Sequence, residues 1–295
     1  MRGIASASGE ELALLGGNGG VWPGVPDLQP ANPVRQMDPC TSPAGMTGGG
    51  PSPIMVAIQR RLWDQAAALR PLYAVFHVSH VTMEECFTRT YAFSSEGVVS
   101  ATIDLLNATA TTFLGGEPPV RLWLENLWWP GLTFADPGLA GQFVQGLRFE
   151  NWGCVLDTGH LINTCPEVGS EDAAIDLVLE RLTRLSPQVR ARIEGLHLSL
   201  SLSGAYQRAA PALPVGFATL PFAERYTLAR DHVALIDQHR PFVMPRCREI
   251  VSAIRPRVIT HELLRLDHHE LERNLGIQYC ALTGALPTGG SHATL

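Results

Sequence analysis

Lysine is absent from all 295 residues, so every one of the 22 basic side chains is arginine. Without a side-chain primary amine the chain cannot form a Schiff base with a carbonyl substrate or with pyridoxal phosphate, and it cannot use a lysine general base. The nucleotide-binding P-loop is excluded for the same reason, because its signature needs a lysine. No GxGxxG turn follows any candidate strand, which removes the main support for a dinucleotide-binding fold. Apolar runs of membrane-spanning length are also missing. The opening MRGIASASGEEL lacks the apolar stretch of a secretory signal, so a soluble, cytoplasmic protein is expected. Six cysteines (Cys40, Cys86, Cys154, Cys165, Cys247, Cys280) form no CxxC pair, which argues against a zinc ribbon or disulfide scaffold and for small buried hydrophobes. With a net charge of −6, the chain as a whole does not attract nucleic acid or an anionic membrane, and neither is expected as a partner.

What is present is a rhythm. After an irregular Gly/Pro-rich stretch, with a short candidate strand at Glu11–Leu15, Ile54–Leu69 reads as an amphipathic helix. Apolar β-type runs then alternate with helical patterns. The strands are Leu72–His77, Val120–Glu125, Gly153–Asp157, Ile193–Leu198, Arg257–Glu262 and Ile277–Leu282. The helices are Thr82–Asn107 (two pieces broken around Ser94–Gly97), Asp136–Leu147, Glu171–Leu185, Glu224–Asp237, Cys247–Ile254 and His268–Leu275. Residues 200–223 read as an irregular excursion, a candidate lid or substrate loop. Strand–helix alternation at this spacing implies βα units and a parallel sheet. The expectation is an α/β fold, a (β/α)8 barrel whose first βα unit is incomplete or irregular. Residues 1–53 would hold part of the barrel start, 54–285 the barrel domain and 286–295 a flexible tail.

Five candidate strands end in a residue able to bind a metal: His77, Glu125, Asp157, His197 and Glu262. In a barrel these ends converge on one face, where chemistry takes place. Glu125, Asp157, His197 and Glu262 together offer three carboxylates and one imidazole. That mixed oxygen–nitrogen set suits Mn²⁺, Zn²⁺, Fe²⁺ or Co²⁺ better than Ca²⁺ and leaves positions open for a small-molecule substrate. A glutamate at the edge of such a site can move a proton to or from the substrate. Taken singly, each residue is weak: a lone strand-end glutamate is usually a surface residue, and a lone strand histidine is usually satisfied structurally. The set and its order carry the specificity.

Glu125-Asn126 after an apolar strand, Asp157-Thr-Gly-His160, His197 and Glu262, in that order, resemble the xylose isomerase-like barrels. That superfamily includes sugar-phosphate isomerases and epimerases and the metal-dependent phosphodiesterases of the AP endonuclease family. The resemblance covers roughly residues 72–282. It implies that Glu125, Asp157, His197 and Glu262 hold one metal, that Glu125 and Glu262 form a catalytic acid/base pair, and that His160 contacts substrate. Phe76–His80 and Asp237-Gln-His239 are similar to the phosphodiesterase group, where His77 would be a ligand and Asp237, His239 and His160 would hold a further metal. Asp237 and His239 are equally readable as the polar end of a helix. The Arg-x-His and GxG turn more usual in the epimerases are absent, and so is the histidine that the phosphodiesterases take from an earlier strand.

The leading expectation is therefore a divalent-metal-dependent isomerase or epimerase acting on a sugar, sugar phosphate or related polyol. A multinuclear metallohydrolase, a phosphodiesterase on a small substrate other than DNA, is the alternative; a barrel that binds a ligand without turnover is the third. Arg121, Arg240, Arg246 and Arg248 are candidate phosphate holders or ordinary surface arginines. Trp123, Trp128 and Trp129 would form an aromatic wall beside Glu125 or, for Trp123 at least, pack in the core. His80, His232, His261, His268 and His269 read as solvated or structural, with His261 facing away from the mouth if Glu262 faces in. Homo-oligomerisation is left open.

Overall fold

The computed structural model describes residues 50–209, 212–263 and 267–284. The expected strand at Glu11–Leu15, Cys40 and the 286–295 tail lie outside them. The described chain begins with α1 (Pro53–Ala68), followed by β1 (Ala74–His77), α2 (Met83–Thr88), α3 (Ser95–Ala110) and β2 (Leu122–Glu125). Next come α4 (Pro137–Gly146), β3 (Trp152–Asp157), α5 (Thr158–Asn163), α6 (Glu171–Arg184), α7 (Pro187–Arg192) and β4 (Ile193–His197). The last part holds α8 (Gly204–Arg208), α9 (Phe222–Ile236), α10 (Cys247–Ile254), β5 (Val258–Thr260) and α11 (His268–Thr283). No helix among the described residues is long and apolar enough to cross a membrane.

All four strand pairings are parallel and the spatial order is the sequence order, β1-β2-β3-β4-β5. A doubly wound sheet reverses direction partway; this one does not, so its helices gather on one side. That side carries the main core: Ala74, Leu122, Leu124, Trp152, Cys154, Leu156, Ile193 and Leu196 meet Trp63, Val99, Leu106, Phe143, Ile175 and Val178 of the helices. Alternate strand residues face the other way, as the two-residue repeat of a strand requires. There Tyr73, Val75, Trp123 and Val155 form a separate cluster with Val258 packed against it.

Tyr73 bridges this inner face. Its ring stacks on Trp123 at 3.5 Å between centroids, and its hydroxyl lies 3.4 Å from Thr260 Oγ1 on β5. In a flat sheet the outer strands would stand about 19 Å apart, four spacings of about 4.8 Å. One tyrosine side chain cannot cover that distance, so the sheet is curled. Trp123 therefore packs in the interior, and its Nε1–H donates to Glu194 Oε2 at 3.2 Å. The wall expected of it falls to Trp128 and Trp129.

The sheet has five strands among the described residues, against the eight of a complete barrel. One expected strand is corrected. Ile277–Leu282 belongs to helix α11, which Asp267 caps by accepting from the Glu270 N–H at 2.8 Å and Gly284 ends in a left-handed conformation. Gln278 and Ala281, three apart, are the buried positions, while Ile277 and Tyr279 are exposed. That is a helical spacing, which a short apolar run conceals. The strand expected at Arg257–Glu262 also stops at Thr260, so Glu262 sits just beyond it.

The excursion after β4 is packed. Phe217 is buried against Phe87 of α2 at 5.5 Å, and with Val81, Leu127, Trp129 and Ala229 it builds a second apolar cluster. Cys86, Cys154 and Cys247 are buried, as expected of small hydrophobes; Cys165 and Cys280 are half-buried, and all five are free.

The inner face leaves a gap at Gly195, where an added Cβ would collide with the Trp123 ring. Gly195→Val should destabilise the fold by about 1–3 kcal/mol through overpacking, seen as a lower urea midpoint with Trp123 fluorescence shifted. An unchanged midpoint would mean that Trp123 has room to move.

Candidate metal centre

The strand ends are fixed to one another by side chains just past them. Asn126 accepts the Asp157 N–H at 2.8 Å through Oδ1 and donates to the Asp157 carbonyl at 3.0 Å through Nδ2. Thr158 does the same one strand on: its Oγ1 accepts the Ser199 N–H at 3.0 Å and donates to the Ser199 carbonyl at 2.6 Å. The tips of β2, β3 and β4 are thereby held in one frame. Asp157 also caps α5, Oδ1 accepting the His160 N–H at 2.6 Å, so the strand turns directly into a helix and brings His160 back over the sheet. Gly159 makes this turn fit, because any Cβ there would press on Ser199 Oγ.

Two groups of potential ligands result. Glu125, Asp157, His197 and Glu262 each offer one atom within 4.8 Å of the others, and so do His160, Asp237 and His239. Ligands on opposite sides of an ion with bonds of about 2.1 Å lie about 4.2 Å apart, so contractions of a few tenths of an ångström would suffice. His77 is in neither group. Its Nε2 lies 3.1 Å from Glu125 Oε2.

Hydrogen bonding favours ligation. His160 Nδ1–H donates to the Asn126 carbonyl at 2.8 Å, and His239 Nδ1–H donates to the Glu262 carbonyl at 3.0 Å. Each ring therefore turns Nε2 toward Asp237 Oδ2, at 3.2 and 2.5 Å respectively. A backbone carbonyl behind Nδ1 is the usual support of a metal-binding imidazole. In the first group, His197 Nδ1 stands 3.2 Å from Glu125 Oε1 and 3.3 Å from Glu262 Oε2. Asp157 Oδ2 and His197 Nε2 are buried with no hydrogen-bond partner, and a bound cation would satisfy such atoms.

Charge follows the geometry. Burial alone would raise Glu125, but His197 and His77 outweigh it and hold its carboxyl well below the usual range. Burial likewise opposes the ionised Glu262, and His197 draws it down to about 2. Asp237 is driven down by His239 and His160 against its own desolvation. Asp157 goes the other way: burial, then repulsion from Glu262 and Glu125, lifts it well above the usual range despite the opposing pull of His160. The histidines mirror this. His160 and His197 are raised well above 6.5 by their carboxylates in spite of burial, and His239 is raised to about 10, mainly by Asp237.

Of the eight candidate residues, seven fall into these two groups, and the Asp237–His239 pair faces His160, with Asp237 also ending helix α9. Among the other described histidines, His80 is half-buried with its ring against Phe93 at 5.1 Å. His261 Nδ1 accepts from Gln278 Nε2 at 2.8 Å, His232 Nε2–H donates to the Cys86 carbonyl at 3.0 Å, and His268 and His269 are on the surface. The arginines named for phosphate are committed elsewhere or exposed: Arg121 to Glu194, Arg246 to Asp172 and Asp176, Arg248 to the Ala281 carbonyl, with Arg240 at the surface. Sequence reasoning missed the groups around Asp237, whose Oδ1 accepts from Ser201 Oγ at 3.2 Å and Asn163 Nδ2 at 3.4 Å. A signal was present: Leu198–Gly204 reads LSLSLSG, placing a buried serine at every second position past β4.

No protein-family model matches the chain, and no curated protein matches it.

Asn126→Ala would orphan both backbone groups of Asp157, at a cost of about 1–3 kcal/mol each. A fall in thermal midpoint is expected, together with weaker retention of divalent metal; an unchanged midpoint would mean that Asn126 is not what joins the strand ends.

Proposed function

We propose that the chain is a divalent-metal-dependent enzyme of the xylose isomerase-like (β/α)8 type with at least two metal positions, and that it hydrolyses a phosphodiester in a small molecule. The observation that carries this reading is the pair of neighbouring ligand groups, Glu125/Asp157/His197/Glu262 and His160/Asp237/His239. A single metal would need only the first. When bound, divalent ions at these positions would supply Lewis-acid polarisation of the scissile group and neutralise charge on the departing oxygen. Mn²⁺, Zn²⁺, Fe²⁺ and Co²⁺ all suit the donors. Within the chain, His197 and His77 outweigh burial and keep Glu125 ionised, the form that ligates a cation. Asp157, raised by burial and by its acidic neighbours, must give up its proton to ligate beside it.

A second reading, isomerisation or epimerisation of a sugar or sugar phosphate, has its own support. Glu125 at the end of β2 and Glu262 just past β5 both approach His197 Nδ1, two carboxylates from different elements that could serve as an acid/base pair. Metal content separates the two. About two or more metals per chain, one of them lost in Asp237→Ala, is the result expected of the hydrolase. One metal, retained in that variant, would favour the isomerase. A purified protein without transition metal would remove both and leave a ligand-binding barrel.

Metal uptake should also depend on pH. In the metal-free protein the carboxylates hold protons on His160, His197 and His239, and each coordinating nitrogen must lose its proton before it can ligate. Apparent affinity should therefore rise with pH from 6 to 8, with proton release detectable by calorimetry in buffers of different ionisation enthalpy. Uptake independent of pH would contradict the assignment of these imidazoles as ligands.

A further inference from the structure

Beside the metal centre lies a cleft of about 230 Å³ whose walls include Arg89, Tyr91, Trp128, Trp129, Thr133 and Asn163. It shares a wall with the second ligand group. Trp128 packs against the His160 ring at 5.2 Å and Asn163 donates to Asp237. Ligand sites for drug-sized molecules start at roughly 300 Å³, so this cleft suits one end of a ligand whose remainder lies elsewhere.

Arg89 is the one formally charged residue lining the cleft. It stands at the end of α2 in a left-handed conformation, φ 53°, held by its N–H to the Glu85 carbonyl at 2.9 Å. Its guanidinium donates through Nη2 to the Gln207 carbonyl at 2.6 Å, and no carboxylate among the described residues is within ion-pair distance of it. Glu85, four residues earlier, is turned instead to the backbone N–H groups of Thr82 and Ala92. The half-buried arginines Arg121, Arg192 and Arg225 each have an acidic partner. Arg89 thus offers further N–H groups to the cleft beside aromatic rings, and a guanidinium so placed binds oxyanions. Tyr91 and Thr133 also line the cleft and bring hydroxyl groups to its wall.

We propose that this cleft binds a phosphate of the substrate remote from the reacting bond, with Arg89 as its anchor and Trp128 as the surface on which the adjoining ring lies. The proposal rests on the metalloenzyme reading for what lies at the other end of the ligand, and it names the substrate class for both reactions considered there: a small molecule carrying a terminal phosphate monoester.

The test is titration of the full-length, metal-loaded protein with phenyl phosphate, phenol and benzoate, followed by tryptophan fluorescence. Saturable quenching by phenyl phosphate is expected, with phenol and benzoate at least tenfold weaker. Arg89→Gln should weaken phenyl phosphate by roughly ten- to a hundredfold, the range for a hydrogen-bonded charge. Arg89→Lys should restore part of the loss, and metal content should stay unchanged in both. Trp128→Leu should abolish the quenching and weaken binding measured by calorimetry. The proposal is overturned by absence of saturable binding, by benzoate or phenol binding as well as phenyl phosphate, or by binding that survives Arg89→Gln but is lost in Asp157→Asn, which would place the anion on the metal. A protein that lacks metal yet binds phenyl phosphate through Arg89 would refute the metalloenzyme reading and leave the cleft assignment standing.

Discussion

Three buried carboxylates from different parts of the chain, Glu125, Asp157 and Asp237, and the half-buried Glu262 lie together with the imidazoles of His77, His160, His197 and His239, and the site depends on how that charge is balanced. Buried carboxylates repel one another strongly in a medium of low polarisability, and each needs a cation or a proton. Here protons on His160, His197 and His239 supply the balance in the metal-free protein, while Asp157 stays raised because burial, with repulsion from Glu262 and Glu125, outweighs the pull of His160. Replacing a buried ion cluster by apolar residues often stabilises a protein. A cluster of this size has the donors to hold a cation and is a poor contribution to folding stability.

The fold serves that cluster. Parallel strands in sequential order bring every C-terminal end to the same side, and the curl marked by Tyr73 and Trp123 turns those ends toward a common centre. Asn126 and Thr158 then join adjacent strand tips through backbone hydrogen bonds, which fixes the carboxylate positions before any ligand arrives. Such preorganisation lowers the cost of assembling a multidentate site. The packed excursion after β4 adds the apolar cluster behind Trp129 and so shapes the cleft beside the centre.

Much of the centre was legible in the sequence because successive apolar runs each end in a residue able to bind a metal and because Asp-Thr-Gly-His encodes a cap, a tight approach and a returning ring in four residues. Strand existence was legible from apolar runs, with β1 to β4 found within two residues of their limits. Ile277–Leu282 misled because six residues are too few to separate a two-residue repeat from a helical one; the capping Asp267 and the closing Gly284 decide it. Arg89 was not legible as a cleft residue. Its side chain is aimed by a left-handed backbone at a helix end, and its lack of an acidic partner is a property of the surroundings, which no local pattern reports. The alternating serines after His197 were legible, but two of them, Ser201 and Ser203, fall in the stretch expected to be an irregular excursion.

The most direct test of the central claim is anomalous X-ray scattering from crystals of the protein grown with Mn²⁺ or Zn²⁺. Two peaks are expected, one among Glu125, Asp157, His197 and Glu262 and one between His160, Asp237 and His239. No peak at either position in metal-soaked crystals, or peaks only on surface carboxylates, would contradict it.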